Sequence, residues 1–188
     1  MKQPTQNKQQ PLTLKELAFF GVYAALLIVL KEFMNLAPNI EPVSLMLIAC
    51  TCVYGIKTLL PTCIFSMVQI VLHGVHIWNI MYLYVWAVLV FLVLALLPLH
   101  RLLEALKARK GIALQTAMWT VVAALYGLSF GTLCSVPYFF TLGPAGAVSW
   151  IISGFSFDII HCIGNAIITA VGFYPLYKTL MLAKSKLA

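Results

Sequence analysis

The stretch Met81–Leu97, MYLYVWAVLVFLVLALL, decides the class of the fold. It contains no charge, and it approaches the ~20 residues that a helix needs to cross a bilayer. It also lacks the alternation of apolar and polar residues that marks a transmembrane β-strand. Leu17–Leu30 and Met118–Leu125 are apolar in the same uninterrupted way. The rest of the composition agrees: of 188 residues, 62% are hydrophobic and only 9% charged, with a mean hydropathy of +0.98. A soluble domain carries about 25% charged residues because its surface faces water. The expectation is an all-α integral membrane protein whose surface faces lipid, with no room for a separate soluble domain.

Charges, prolines and glycines divide the apolar runs. They predict six transmembrane helices, at about Leu17–Leu36, Val43–Tyr54, Pro61–Val75, Asn79–Leu97, Leu114–Pro137 and Phe157–Tyr177. These form one membrane domain over residues 17–177, between tails at 1–16 and 178–188. Pro38–Pro42 reads as a tight polar turn, Pro98–Ala113 as a basic connection, and Tyr138–Gly154 as a loop bearing glycine and proline. The first run has no small-residue cleavage site and reads as a span, not a leader. The second run is short for a crossing, but omitting it would put later loops on the wrong sides. With it, eleven of the twelve lysines and arginines fall on the side of the N-terminus. Only Lys31 lies opposite, where Glu32 offsets it. Such a bias places both termini in the cytoplasm.

The formal charge of +7 sits at the ends of apolar runs, without the interleaved aromatics of a nucleic-acid surface, so no nucleic-acid partner is expected. The five cysteines lie in or beside apolar runs and read as small buried hydrophobes. Cys50-Thr-Cys52 lacks the spacing of a redox or zinc pair.

Polar groups in hydrocarbon must be satisfied inside the bundle, so their spacing reports the inward faces. Thr62, Ser66, Gln69, His73 and His76 recur at helical intervals in the third span. Asn79, Tyr82 and Trp86 do so in the fourth, and Asp158, His161, Asn165 and Thr169 in the sixth. The most polar members lie toward the outer end, with Asn39 and Glu41 on the same side. Three stripes converging at one depth predict an outward-facing ligand pocket. Each member has a structural alternative. Asp158 caps the sixth helix or contacts ligand, and His161, one turn on, can close a hydrogen bond with it. His73 and His76 have the spacing of a metal pair, but no third ligand is fixed, and no metal or cofactor is assigned. Among the outer aromatics, Tyr84 and Trp150 fit an interfacial belt. Trp78 and Tyr82 adjoin the stripe and, with Tyr138, are counted with the pocket. Gly127-xxx-Gly131 and Gly21-xxx-Ala25 allow close helix packing.

No G-x-x-x-x-G-K-[ST], H-E-x-x-H or G-x-S-x-G motif occurs, so neither ATP hydrolysis nor two familiar kinds of hydrolysis is expected of this chain. Several phrases nevertheless resemble a known family. They are Pro38-Asn39-Ile40-Glu41-Pro42-Val43-Ser44-Leu45, Trp78–Trp86 (WNIMYLYVW), Phe130–Tyr138 (FGTLCSVPY) and Phe157-Asp158-Ile159-Ile160-His161. With the size and span number, they are similar to the substrate-binding S components of energy-coupling factor (ECF) vitamin importers. The resemblance implies a multi-pass protein of the bacterial plasma membrane that binds one vitamin-like molecule from outside. It implies as partners a transmembrane coupling subunit and two ATPases, which power import. The set it most resembles is associated with cobalamin or its precursors. The family's first helix carries an alanine-xxx-alanine docking face, matched here by Gly21 and Ala25. Two alternatives come from other classes: a small proton-coupled carrier using Asp158 and His161 as a relay, and a metal-dependent membrane enzyme built on His73, His76, Asp158 and His161.

Overall fold

A computed structural model describes residues 11–34, 41–106 and 109–187, apart from the Trp78 side chain. Among these residues the chain is helical throughout, with no strand. Helix α1, Leu14–Phe33, begins at a capping box: Glu16 N–H donates to the Thr13 hydroxyl, and the Glu16 carboxylate accepts from Thr13 N–H. Helices α2 (Val43–Tyr54), α3 (Leu59–His73), a short α4 (Ile77–Ile80), α5 (Val85–Ala105), α6 (Arg109–Leu128), a short α7 (Phe130–Cys134) and α8 (Val136–Leu187) follow. Four stretches are long and apolar enough to cross a membrane: Val43–His73, Met81–Ala105, Arg109–Leu128 and Val136–Leu187. Helix α1 has similar length but carries Lys15, Glu16, Lys31 and Glu32 at its two ends.

Named contacts fix the direction of each helix. Phe19 stacks on Tyr54 with ring centroids 5.0 Å apart, the Tyr23 hydroxyl donates to the Met46 carbonyl at 2.8 Å, and Lys31 Nζ lies 3.3 Å from Glu41 Oε2. Helices α1 and α2 are therefore antiparallel. Lys57 meets Glu16 at 2.8 Å and His73 meets Glu32 at 3.0 Å, so α1 and α3 run parallel. The chain must reverse between α2 and α3, and it does so at Gly55, whose φ of +61° favours glycine. Helix α5 starts beside α3, where Ser66 Oγ donates to the Tyr82 carbonyl at 2.7 Å. It ends at Glu104, which accepts from the Tyr177 hydroxyl at 2.9 Å. Helix α6 returns along it, through Trp119 Nε1 to His100 Nδ1 at 3.1 Å and Tyr126 Oη to the Val85 carbonyl at 2.7 Å. Helix α8 bends at Gly143 (φ +73°), folding Trp150 back onto Tyr138 at 4.0 Å between centroids. Its long arm then descends to Lys184, whose ammonium donates to the Val53 carbonyl at 2.6 Å.

Directions thus alternate along α1, α2, α3, α5, α6 and the long arm of α8. Glu16 and Lys184 lie together at one end, marked by Tyr54; Lys31, Glu41, His73 and Asp158 lie at the other. In the middle sits α2, with eleven of its twelve residues buried. Helices α6 and α8 approach closely: a Cβ added at Gly127 would stand 2.9 Å from the His161 carbonyl carbon and oxygen.

Several boundaries differ from expectation. The connection expected over Pro98–Ala113 is helical at both ends, since α5 runs to Ala105 and α6 starts at Arg109, and the span expected over Leu114–Pro137 ends at Leu128, with α7 and the start of α8 following. Helix α3 stops at His73 because Gly74 adopts φ +79°, so His76 does not continue the stripe of Thr62, Ser66, Gln69 and His73. Helix α5 begins at Val85, so Asn79 and Tyr82 precede it and do not share its face with Trp86. The segment Tyr138–Gly154 is helical on both sides of Gly143 instead of a loop. Pro144 suits the turn that follows, since the first helical turn needs no N–H donor there.

Gly127→Ala should lower stability by about 1–3 kcal/mol, because the added methyl meets backbone that cannot rotate away. Gly21→Ala, with nothing within 4 Å, should be neutral or gain up to ~1 kcal/mol from helix propensity. Thermal unfolding of the two variants in the same detergent measures the contrast, and equal midpoints would refute the close packing.

Candidate functional site

A cavity of about 280 Å³ opens at the Glu41 end, among the start of α2, the Met81–Leu83 turn, α7 and α8. Two carboxylates, a lysine and a histidine line it: Glu41, Asp158, Lys31 and His161. Asp158 is 6% exposed and lies well inside α8, which starts at Val136, so it does not cap the helix that carries it. Its Oδ1 accepts instead from Gly131 N–H at 2.9 Å, in the first turn of α7. Gly131 leaves the room for this contact, because a Cβ at that position would collide with the Asp158 carboxylate as it now lies. His161, one turn along, does not bond to Asp158; its Nε2 points toward Glu41 Oε1 at 3.6 Å, and its ring meets Phe130 edge-on at 4.8 Å. That nitrogen is buried and has no hydrogen-bond partner among the described residues. Glu41, 6% exposed, also faces Lys31.

Aromatic rings make the remaining walls. Tyr82 is held by stacking on Phe65 and by an edge contact with Trp86. Trp150 is held by its stack on Tyr138, and Phe130 and Phe157 complete the lining. Met81 and Cys134 supply the last apolar contacts.

The predicted site residues therefore separate into groups. Glu41, Tyr82, Asp158 and His161 come together in the cavity, with Tyr138 behind Trp150. Gln69 Nε2 and His73 Nε2 both lie 3.0 Å from Glu32 Oε1, in a second cluster at the same end. Asn79 is buried but bonds to the Gly74 carbonyl and to His76 N–H, closing the turn after α3; His76 itself is exposed. Asn165 Nδ2 reaches Ser44 Oγ and the Ala123 carbonyl, both at 3.3 Å, tying α8 to α2 and α6. Asn39 and the Trp78 side chain lie outside the described residues. Lys31 makes its contact ion pair with Glu41, while Glu32 takes Gln69 and His73 and still feels the Lys31 charge at longer range.

Sequence reasoning did not place Lys31, Phe130, Gly131, Trp150 or Phe157 in the site. One signal was present, since Lys31 is the lone cation on its side. Trp150, read as an interfacial ring, lines the cavity. Gly21 and Ala25 are both exposed on α1, so that pair does not pack against this chain; the buried neighbour is Ala24. Among the described residues, no group of three or more His, Cys, Asp and Glu is arranged to hold a metal ion.

In comparisons with known proteins, no family model, no curated protein and no solved structure matches this chain. What the site does has to be argued from its chemistry.

The pair Lys31–Glu41 gives a test of the site's electrostatics, since the two side chains are 22% and 7% exposed. Removing the cation alone, as Lys31→Met, should cost about 1–3 kcal/mol, because it leaves a buried carboxylate with only the His161 ring, 3.6 Å away, to face it. The double variant Lys31→Met/Glu41→Gln should recover most of that loss in detergent thermal unfolding. Additive losses would show that the pair contributes no coupling.

Proposed function

We propose that this chain is a substrate-binding S component of an ATP-driven, ECF-type importer, holding a vitamin-like molecule in the cavity at the Glu41 end. One observation carries the reading: buried ionisable groups and aromatic rings converge on a cavity at one end of an apolar helical body. The alternating directions of α1, α2, α3, α5, α6 and α8 support six crossings. The cations support an orientation. Lys57, Arg101, Arg109, Lys110, Lys178, Lys184 and Lys186 belong to the Tyr54 end, and the positive-inside bias puts that end in the cytoplasm. The cavity then faces outward from the plasma membrane.

The exposed Gly21 and Ala25 offer a small-residue face on α1 for a transmembrane coupling subunit, which two ATPases would drive. Such a division suits a chain without a phosphate-binding loop. The cavity volume falls just below the ~300–1,000 Å³ usual for ligand sites, which favours a compact vitamin or precursor. An intact corrinoid would require the Trp150–Phe157 rim to part. A proton-coupled carrier is the second reading, supported by the burial of Asp158 beside His161. Its uptake would collapse with the proton gradient and ignore loss of the ATPases.

Ligand-induced thermal shifts across a panel of vitamins and precursors test the first reading, together with mass spectrometry of any molecule retained on purification. Gly131→Ala should keep the fold within about 1 kcal/mol, because the Asp158 carboxylate is a side-chain end that can turn away. It should weaken the ligand shift strongly, because that carboxylate leaves its position on Gly131 N–H. No shift with any compound, and no copurifying coupling subunit, would refute the proposal.

A further inference from the structure

The charge balance of the cavity specifies what it can hold, an inference that rests on the binding role proposed above. Lys31 and Glu41 offset each other at 3.3 Å. Asp158 has no lysine or arginine within ion-pairing distance among the described residues, and residues 35–40, NLAPNI, contain no cation. Among the described residues its carboxylate accepts one hydrogen bond, from Gly131 N–H, whereas a carboxylate can accept about four. His161 is the other variable. Neutral, it leaves the four lining groups with one net negative charge. Protonated, it pairs toward Glu41 at 3.6 Å and brings the sum only to zero. With Asp158 ionised, neither state is positive, so neither attracts a carboxylate or phosphate.

The walls point the same way. Tyr82, Phe130, Trp150 and Phe157 surround these groups, and aromatic faces carry negative quadrupole density that attracts cations. In a partly desolvated pocket a charge–carboxylate contact is far stronger than in water. No metal-holding group is present among the described residues, so a bare ion is not the occupant favoured.

We propose that the ligand is a compact organic cation with a planar ring. Its charged nitrogen, an amine, amidine or ring nitrogen, lies against Asp158, and its ring lies against the Phe130 and Trp150 side of the cavity. His161 Nε2, 3% exposed as a residue and without a partner among the described residues, accepts from or donates to a substituent on that ring, according to its protonation. Selectivity arises from charge first and size second: neutral analogues lose the contact with Asp158, and anions meet it as repulsion.

The test uses benzamidinium, benzamide and benzoate, which share a ring and differ in charge. Each is titrated into the purified full-length protein in detergent, and affinity is read from the shift in unfolding temperature. Benzamidinium should bind at least roughly tenfold more tightly than benzamide, the scale of one charge-assisted contact, and benzoate should give no shift. Asp158→Asn keeps an acceptor for Gly131 N–H and should abolish the preference for the cation. Lys31→Met acts in the opposite direction, strengthening benzamidinium binding, and covers the case in which Asp158→Asn fails to fold. Equal binding of all three probes, or a preference for benzoate, overturns the cationic assignment while leaving a ligand-binding cavity intact. No shift with any probe also overturns it, and the binding role then depends on the vitamin panel alone.

Discussion

Burial of α2 on nearly every side is the constraint on which the rest of this structure depends. A helix with eleven of twelve residues covered has no face left for lipid or water. Its neighbours must supply a complete wall, and α1, α5, α6 and α8 do so. Two of its polar side chains are satisfied within the bundle: Thr51 Oγ1 donates to the Leu47 carbonyl at 2.7 Å, and Ser44 Oγ accepts from Asn165 of α8. Close approach by the outer helices then requires small residues at defined points. Gly172 is one, since a Cβ there would stand 2.6 Å from Leu45 Cδ2, and Gly127 is the other, against α8. Because α2 is short and central, the space beyond its first residue is left for a cavity.

That space is polar for an electrostatic reason. Two charge clusters lie at the Glu41 end, and they differ in how completely they close. Glu32 takes contacts from both Gln69 and His73, at 3.0 Å each. Lys31, Glu41, His161 and Asp158 share one cation among two buried carboxylates and point into open volume. At the opposite end Lys57–Glu16 is also short, at 2.8 Å, but it sits nearer solvent, where such pairs contribute about 0–1 kcal/mol. At an effective dielectric near 20, an ion-pair separation of 4 Å corresponds to about 4 kcal/mol. The buried cluster is therefore where a ligand charge has leverage.

Much of the helical architecture was legible in the sequence because hydrophobic continuity and charge placement are local signals. The short run Val43–Tyr54, the least regular by length, coincides with α2. Its shortness reflects full burial, since a helix enclosed by others need not match a bilayer. What was not legible depends on single backbone angles and on contacts across the chain. Gly74 ends α3 one residue beyond His73, and nothing in the polar spacing signals that the stripe must stop there. Gly143 turns what reads as a glycine- and proline-bearing loop into two helical arms, and only that fold brings Trp150 over the cavity. For the site, the sixth-span stripe gave Asp158 and His161 directly. The Lys31–Glu41 pairing, between residues ten apart in the chain, could not be read from either residue's own neighbours.

The long arm of α8 links the two ends of the molecule. Among its buried residues, Asp158, His161, Asn165, Thr169, Phe173, Tyr177 and Leu180 recur three or four apart, with Gly164 beside Asn165, so one helical face runs from the cavity to the cationic end. Near the cavity that face is fixed by Gly131 and by the tight contact with Gly127. Farther along, Phe173 and Tyr177 pack on the ring of His100, with centroids 6.3 and 5.3 Å away, and Tyr177 donates to Glu104. A ligand that draws on Asp158 therefore acts on a helix clamped at both ends by close-packed contacts. Packed interfaces of this kind shift as units more readily than they deform.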